Sequence, residues 1–263
     1  PPRSTLFPYT TLFRSRDKSY FSLGGASHSP DHKLLAYSVD DTGSEFHVIR
    51  IRDLDADADL PDEIPNTAGG VAWAADSRSF FYTFINDNHR TEKVLRHVIG
   101  TPASEDTVVY VEEDSGFFCG VDKTQSGRFI VIDSHDHQTS EVRLIDAEAP
   151  DSPPRLVTAR ETEVEYSIED DGDDRVYILT NADGAEDFKI VNAPLKNPGR
   201  DNWVDVVAHE PGRLILSMSI FQGRMVRLER VGGLPRIVIR ELASGHEHAI
   251  SFPEEAYSLG LSG

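Results

Sequence analysis

The stretch KLLAYSV, residues 33–39, places a basic residue at a turn directly before an apolar strand. The arrangement returns at Arg78-SFFYTF, Arg128-FIVIDS, Arg175-VYILTN and Arg224-MVRLER, with successive copies 45 to 50 residues apart. Repeats of about 40–50 residues are typical of β-propellers, in which each repeat is a four-stranded blade. The spacing therefore predicts an all-β, partial β-propeller with about five four-stranded blades.

The remaining sequence agrees with this prediction. β-Branched and aromatic runs bounded by turn pairs fill the chain from Phe21 onward, and no helical stripe exceeds about three turns. The blades are predicted to begin near Gly24, Gly70, Phe117, Tyr166 and Leu214. The run from Glu254 to Gly263 predicts the first strand of a sixth blade. We therefore expect an incomplete propeller that forms an open arc.

The first fifteen residues have a different origin. The string PPRSTLFPYTTLFRS, Pro1–Ser15, matches the translation of a standard short-read sequencing adapter without a mismatch. Such a segment is excluded from reasoning about the fold. We expect residues 1–15 to be an unstructured artefact, residues 16–263 to be the incomplete propeller domain, and the native N terminus with any signal peptide to be missing.

Composition restricts the function classes. The formal charge is −19 and the pI is about 4.8, so a nucleic-acid partner is not expected, because the chain has no basic excess to replace phosphate counterions. No apolar run reaches the roughly 18–20 residues of a membrane helix. The single cysteine, Cys119, lies in an apolar strand and is predicted to be a buried, inert thiol. These features favour a cytoplasmic protein without a membrane partner.

Candidate metal ligands do not form a convincing pattern. The acidic run Asp53, Asp55, Asp57 and Asp59 lacks the glycine and glutamate that an EF-hand loop requires, so we predict a solvated loop between strands. The histidine pairs His135/His137 and His246/His248 could each place two rings on one side of a strand, but no further zinc ligands are identified. No metal site and no cofactor are predicted.

Other conspicuous residues are interpreted as structural. The pairs Gly24-Gly25 and Gly69-Gly70 precede strands rather than helices, so tight packing explains them better than phosphate binding. The aromatic residues are predicted to form the core between blades; they are Trp73, Trp203 and Phe80-Phe81-Tyr82. No serine has glycine at both −2 and +2, as an α/β-hydrolase nucleophile elbow requires. No catalytic residue is therefore predicted.

Two longer segments resemble a known family. SPDHKLLAYSVDDTGSEFHVIRIRDLD, residues 29–55, resembles the first blade of the prolyl oligopeptidase family of serine peptidases. VLRHVIGTPASEDTVVYVEEDSGFFCGVDKTQSGRFIVIDSHDHQTSEVRLIDAE, residues 94–148, is similar to the oligopeptidase B (protease II) branch, above all in its RH-x-IGTPAS-x-D and TSEVRL-x-DAE elements. The resemblance extends from Phe21 to Gly263 and weakens toward the C terminus.

The resemblance implies a seven-bladed parent propeller that caps a C-terminal α/β-hydrolase domain, with an N-terminal helical segment packed on the hydrolase. Enzymes of this branch cleave peptides after Arg or Lys. Their catalytic triad and most carboxylates that bind the basic side chain lie in the hydrolase domain, which is expected to be absent here. The implied partners are short basic peptides and the hydrolase domain in cis. The chain is expected to be a cap that restricts substrate access and is inactive alone.

Two other classes stay open. A free-standing interaction propeller would bind protein partners at its rim, although the blades lack recurring Gly-His and Trp-Asp pairs. A five-bladed carbohydrate-active propeller would need several convergent carboxylates on the inner strands. Those strands are mostly small or apolar, with occasional acids such as Glu165. An open array would expose blade faces at both ends, so we also expect poor solubility or self-association.

Overall fold

A computed structural model describes residues 18–254 and 257–261. This part of the chain contains β-strands and two 3-10 helices, Ala103–Glu105 (η1) and Arg200–Asn202 (η2), and no α-helix, which confirms the all-β prediction. The strands are β1 (Ser22–His28), β2 (Leu34–Asp40), β3 (His47–Asp53), β4 (Ala58–Thr67), β5 (Ala72–Trp73), β6 (Ser79–Ile85), β7 (Thr91–Val98), β8 (Thr107–Val111), β9 (Phe118–Lys123), β10 (Phe129–His135), β11 (Ser140–Asp146), β12 (Arg155–Leu156), β13 (Tyr166–Asp170), β14 (Arg175–Thr180), β15 (Lys189–Pro194), β16 (Val204–Val207), β17 (Arg213–Phe221), β18 (Arg224–Val231), β19 (Leu234–Glu241) and β20 (Glu247–Ala249).

Consecutive strands form antiparallel groups of four, as the repeat predicts. We call them the first to fifth sheets: β1–β4, β5–β8, β9–β12, β13–β16 and β17–β20. The first and second sheets are joined through the pairing of Thr67 in β4 with Phe84 in β6. The chain divides into two compact units, Pro1–Asp122 and Lys123–Gly263, with the boundary near the end of β9.

The repeated basic residue marks the second strand of every sheet. Lys33, Arg78 and Arg128 lie immediately before β2, β6 and β10, and Arg175 and Arg224 begin β14 and β18. In four of these turns a side-chain oxygen accepts the backbone N–H of the basic residue: Asp31 for Lys33, Asp76 for Arg78, Ser126 for Arg128 and Asp171 for Arg175. Short polar side chains of this kind stabilise tight turns.

Several of the second strands are buried over successive residues, which fits strands covered on both faces. Five consecutive residues are buried in β2, β6 and β14. In the described part of the chain, three apolar clusters form around such strands. One lies in the first unit and includes Ile49, Ile51 and Phe80. The other two, in the second unit, include Val176 and Ile178 in one and Ile190 and Met225 in the other.

Some sequence predictions differ from the structure. The acidic run is only in part a loop, because Asp53 ends β3 and β4 begins at Ala58, so that Asp59 lies in a strand. The predicted sixth blade, Glu254 to Gly263, lies partly outside the described residues, and its described residues carry no strand. The predicted adapter segment, residues 1–15, lies entirely outside them. No helix of the described chain is long and apolar enough to cross a bilayer.

Candidate functional site

The acidic run is occupied by contacts within the protein. The Asp53 carboxylate accepts the backbone N–H groups of Asp55 and Ala56. The Arg52 guanidinium pairs with Asp57 at 2.5 Å and with Asp59 at 3.1 Å. Of the four carboxylates, one therefore stabilises a turn and two form ion pairs with Arg52.

The histidine pairs do not gather a ligand set. His135 Nδ1 lies 2.6 Å from Asp133 Oδ2, a hydrogen bond that raises the pKa of His135. The ring centroids of His246 and His248 are 6.4 Å apart. His246 precedes the exposed strand β20, and His248 lies in it. Across the described residues, no group of three or more His, Cys, Asp or Glu side chains is arranged to hold a metal ion.

The glycine pairs lie in crowded surroundings, with one exception. A Cβ atom on Gly24 would lie 2.4 Å from His47 Cδ2 and 2.7 Å from Ser38 Oγ. Gly69 has a φ of +96°, and a Cβ there would lie 2.8 Å from the same hydroxyl. The prediction of tight packing is wrong for Gly70, where an added Cβ would have no atom within 4 Å.

The predicted core residues are placed as expected. Trp73, Phe80, Phe81 and Tyr82 are buried, and Trp203 packs against the apolar cluster of the fourth sheet. Cys119 is buried and keeps its thiol group. The Trp73 indole N–H donates to the Ser27 carbonyl at 3.1 Å, which links the second sheet to the first.

The motif RH-x-IGTPAS-x-D forms a buried charge cluster that the sequence analysis did not identify. His97 in β7 lies between two carboxylates: Nδ1 is 2.7 Å from Asp106 Oδ1 and Nε2 is 3.0 Å from Asp62 Oδ1. Asp62 also accepts the Gly100 N–H at 2.6 Å, and the Tyr82 hydroxyl donates to Asp106 Oδ2 at 2.8 Å. An imidazole can donate from both nitrogens only when it is protonated.

The charge state of this cluster follows from its contacts. Burial lowers the pKa of His97, but the hydrogen bonds to Asp106 and Asp62 outweigh it, and the pKa lies above its ordinary value. Burial, and then the bond to Asp106, raises the pKa of Tyr82. The His97 side chain is 0% exposed. The cluster is therefore suited to fastening β4 to β7 rather than to proton exchange with a dissolved substrate.

The fifth sheet contains a second charge network that was not predicted. Glu229, 0% exposed, accepts from Arg227 Nε at 2.6 Å and from Arg236 Nε at 2.7 Å. Arg227 also donates to both oxygens of Glu247, at 2.9 and 2.7 Å, and Arg240 donates to Glu247 at 2.7 Å. Arg227 and Glu229, two residues apart on β18, are the sequence signal for this network. The strand was interpreted as apolar because of the residues around them.

The turns that follow the first strands connect neighbouring sheets. The Asp31 N–H, before β2, donates to Ser77 Oγ, before β6, at 3.1 Å. In the second unit, the Ser126 hydroxyl donates to Asp170 Oδ2 at 2.6 Å. The Gln125 N–H donates to Glu169 Oε2 at 2.8 Å. The polar turns therefore join sheets as well as reversing the chain.

Comparisons with known proteins agree on one family. Residues 13–262 match the family described as "Prolyl oligopeptidase, N-terminal beta-propeller domain". The chain is 37% identical over 246 residues to "Dipeptidyl aminopeptidase BI" of Pseudoxanthomonas mexicana, covering 93% of this chain and 34% of that protein. It is 30% identical over 249 residues to "Protease 2" of Moraxella lacunata, covering 94% of this chain and 35% of that protein.

Solved structures support the same relation. Oligopeptidase B from Leishmania major superimposes with a TM-score of 0.87 at 27% identity, covering 92% of this chain and 35% of that one. Oligopeptidase B from Trypanosoma brucei, with covalently bound antipain, gives 0.86 at 29% identity, covering 93% and 35%. The chain therefore spans about a third of the length of the relatives it matches.

Proposed function

Because the chain belongs to the prolyl oligopeptidase family and corresponds to its N-terminal β-propeller domain, we propose that it caps the catalytic domain of a serine peptidase that cleaves short peptides after Arg or Lys. The observation that carries this proposal is the agreement over 92% of the chain with oligopeptidase B of Leishmania major. The hydrolase domain supplies the reacting groups, and this chain controls which peptides reach them.

The contacts between neighbouring sheets within each unit suit the proposed cap role. Four-stranded sheets with buried second strands, fastened to neighbours by the turn contacts Asp31–Ser77 and Ser126–Asp170, resist local opening. In this role the cap admits short, extended peptides to the hydrolase domain and excludes folded proteins. The chain's partners are then the hydrolase domain in cis and short basic peptides, and its place is the cytoplasm, where Cys119 stays reduced.

A second activity has support from one specific observation. The relative with 37% identity is named a dipeptidyl aminopeptidase, whereas the relative with 30% identity is named Protease 2. The complete protein could therefore release dipeptides from a free N terminus instead of cleaving within blocked peptides. The two activities differ in whether an acylated N terminus is tolerated.

A chimeric enzyme tests the proposal. Residues 18–261 replace the segment of Protease 2 from Moraxella lacunata that they match, the rest of that protein is kept, and this chain alone serves as the control. We expect the chimera to cleave an N-acylated Arg-containing peptide amide and to spare casein. We expect no cleavage by the chain alone.

Three results would contradict the proposal. Hydrolysis by the isolated chain would show that its active groups lie within it. If the chimera cleaved casein as fast as the hydrolase domain without a propeller does, the chain would not restrict access of substrates to the hydrolase domain. Cleavage of only unblocked peptides, with release of dipeptides, would favour the second activity.

A further inference from the structure

Three basic side chains line one groove in the second unit. The groove has a volume of about 670 Å³, and Arg128, Arg155 and Lys196 line it together with Asp146. Its apolar lining includes Phe129, Leu144 and Leu195, which are 5%, 2% and 8% exposed. Pro153 and Pro154 complete one wall. A volume of this size is in the range of ligand-binding clefts.

The two arginines are held in place by carbonyl groups. Arg155 Nη1 donates to the Leu195 carbonyl at 2.7 Å. Arg128 Nη1 donates to the Asp173 carbonyl, and its guanidinium carbon lies 5.1 Å from the centroid of the Phe129 ring. Each guanidinium carries five N–H donors, so most of them stay available to a ligand. Positioned donors lose less entropy on binding than mobile ones do.

None of Arg128, Arg155 and Lys196 forms an ion pair with another described residue. The chain has 45 acidic and 26 basic residues, so carboxylates outnumber basic side chains. Seven other arginines of the second unit contact carboxylates: Arg143, Arg160, Arg200, Arg213, Arg227, Arg236 and Arg240. Negatively charged groups of another molecule can therefore pair with these three side chains.

We propose that this groove binds an acidic peptide segment with an apolar side chain between its carboxylates. The carboxylates pair with the guanidinium groups of Arg128 and Arg155 and with the Lys196 ammonium group, and the apolar side chain packs on Phe129, Leu144 and Leu195. Guanidinium and carboxylate groups form charge-assisted hydrogen bonds. The apolar lining favours such a segment over a compact inorganic anion, and the lining carboxylate of Asp146 accepts the backbone N–H of Glu148.

Binding of a labelled pentapeptide, Glu-Leu-Glu-Leu-Glu, to the full chain tests this proposal by fluorescence anisotropy. The matched control peptide is Gln-Leu-Gln-Leu-Gln, which keeps the apolar groups and removes the charge. We expect the acidic peptide to bind more tightly and to weaken with added NaCl. R155Q and K196Q should each raise its Kd about fivefold.

R230Q is the control variant, because Arg230 is also exposed but lies outside the groove. It should leave the affinity unchanged. The proposal is overturned by equal binding of the two peptides, by no binding at millimolar peptide, or by an equal effect of R230Q. Competition by inorganic phosphate as effective as that by the unlabelled peptide would instead identify a small-anion site. Circular dichroism checks that the variants keep the wild-type fold.

Discussion

His97 joins two sheets through charge at the scale of single residues. Its ring contacts Asp62 of the first sheet and Asp106 of the second, and its side chain is 0% exposed. Buried carboxylates are costly when they lose their counter-ion, because the protein interior solvates them poorly. The stability of the joint therefore depends on the proton that His97 carries.

Replacing His97 by Gln should destabilise the protein strongly. The substitution leaves Asp62 and Asp106 buried without a cation, at a cost of about 3–5 kcal/mol in the free energy of unfolding. Urea denaturation measures the loss. His137, which is exposed, provides the control: H137Q should change the free energy by about 0.5 kcal/mol or less. Equal stability of the two variants would contradict the role of His97.

The contribution of His97 should also depend on pH. Its pKa in the folded protein lies above the value of about 6.5 in the unfolded chain, so the native state holds the proton more tightly. The stabilisation is complete below about pH 6.5 and is lost as the pH rises through the folded pKa. Urea denaturation between pH 6 and 9 should show the difference between wild type and H97Q shrinking with pH. A growing difference would contradict this assignment of charge.

Gly24 and Gly70 form a matched pair for a test of packing. G24A should cost about 1–3 kcal/mol of unfolding free energy, because its Cβ would lie 2.4 Å from the His47 ring and 2.7 Å from Ser38 Oγ. G70A places its Cβ in open space and should be neutral or slightly stabilising. Thermal unfolding of the two variants measures the difference. A neutral G24A would mean that His47 and Ser38 move aside at little cost.

Sequence reasoning identified local features better than distant ones. It interpreted Gly24 and Gly69 correctly, since a glycine before a strand already indicates close packing. It could not separate Gly70 from them, because the empty space there depends on other parts of the chain. It also missed His97, whose partner Asp62 is 35 residues away. The nearer partner, Asp106, lies with His97 in the motif RH-x-IGTPAS-x-D, and this pairing could have indicated the contact.

At the scale of elements, a strand was predictable where its own residues determine its burial. The second strands are apolar over successive positions and were found from the sequence. β4, ADLPDEIPNT, was missed because Pro61, Pro65 and its acids are unusual in a strand. Proline is tolerated where a strand is not fully paired on both sides. β4 pairs with β6 only through Thr67 and Phe84, so most of its residues on that side, including both prolines, are not paired.

The short strand β20 depends on one carboxylate. Its residues, Glu247–Ala249, are exposed. Glu247 contacts Arg240 on the neighbouring strand β19 and, beyond it, Arg227 on β18. The hydrogen bonds from Arg227 lower the pKa of Glu247 to about 2. This carboxylate therefore stabilises the fold above about pH 4.5, and the contribution is lost as the pH falls toward 2.

E247Q should loosen β20 without unfolding the fifth sheet. The amide N–H of Ile250, which donates to the Ile237 carbonyl at 2.9 Å, should exchange with solvent about tenfold faster. Hydrogen exchange at neutral pH measures this rate. Glu241, at the exposed end of β19, is the control, and E241Q should leave the exchange of Ile250 unchanged. Unchanged exchange in E247Q would show that backbone pairing alone holds β20.

At the scale of the whole molecule, the proposed cap role predicts that the excess of carboxylates affects the approach of cationic substrates. A formal charge of −19 produces an attractive field for cationic peptides, and its range is about 10 Å at 0.1 M salt. Attraction of this kind changes the association rate more than it changes the bound complex. It is therefore separable from recognition of the residue at the cleaved bond.

The chimeric enzyme, with residues 18–261 in its propeller, can test this attraction. Two peptides with the same cleavage site, and with Arg or neutral citrulline at a distant position, report steering without changing recognition at the cleaved bond. We expect kcat/KM to be higher for the Arg peptide at 20 mM NaCl, and the ratio of the two values to approach one at 500 mM, because salt screens exposed charges. The parent enzyme with its own propeller is the control for charges on the hydrolase domain. A ratio that does not change with salt would exclude long-range steering and leave short-range contacts with the bound peptide as the cause of any preference.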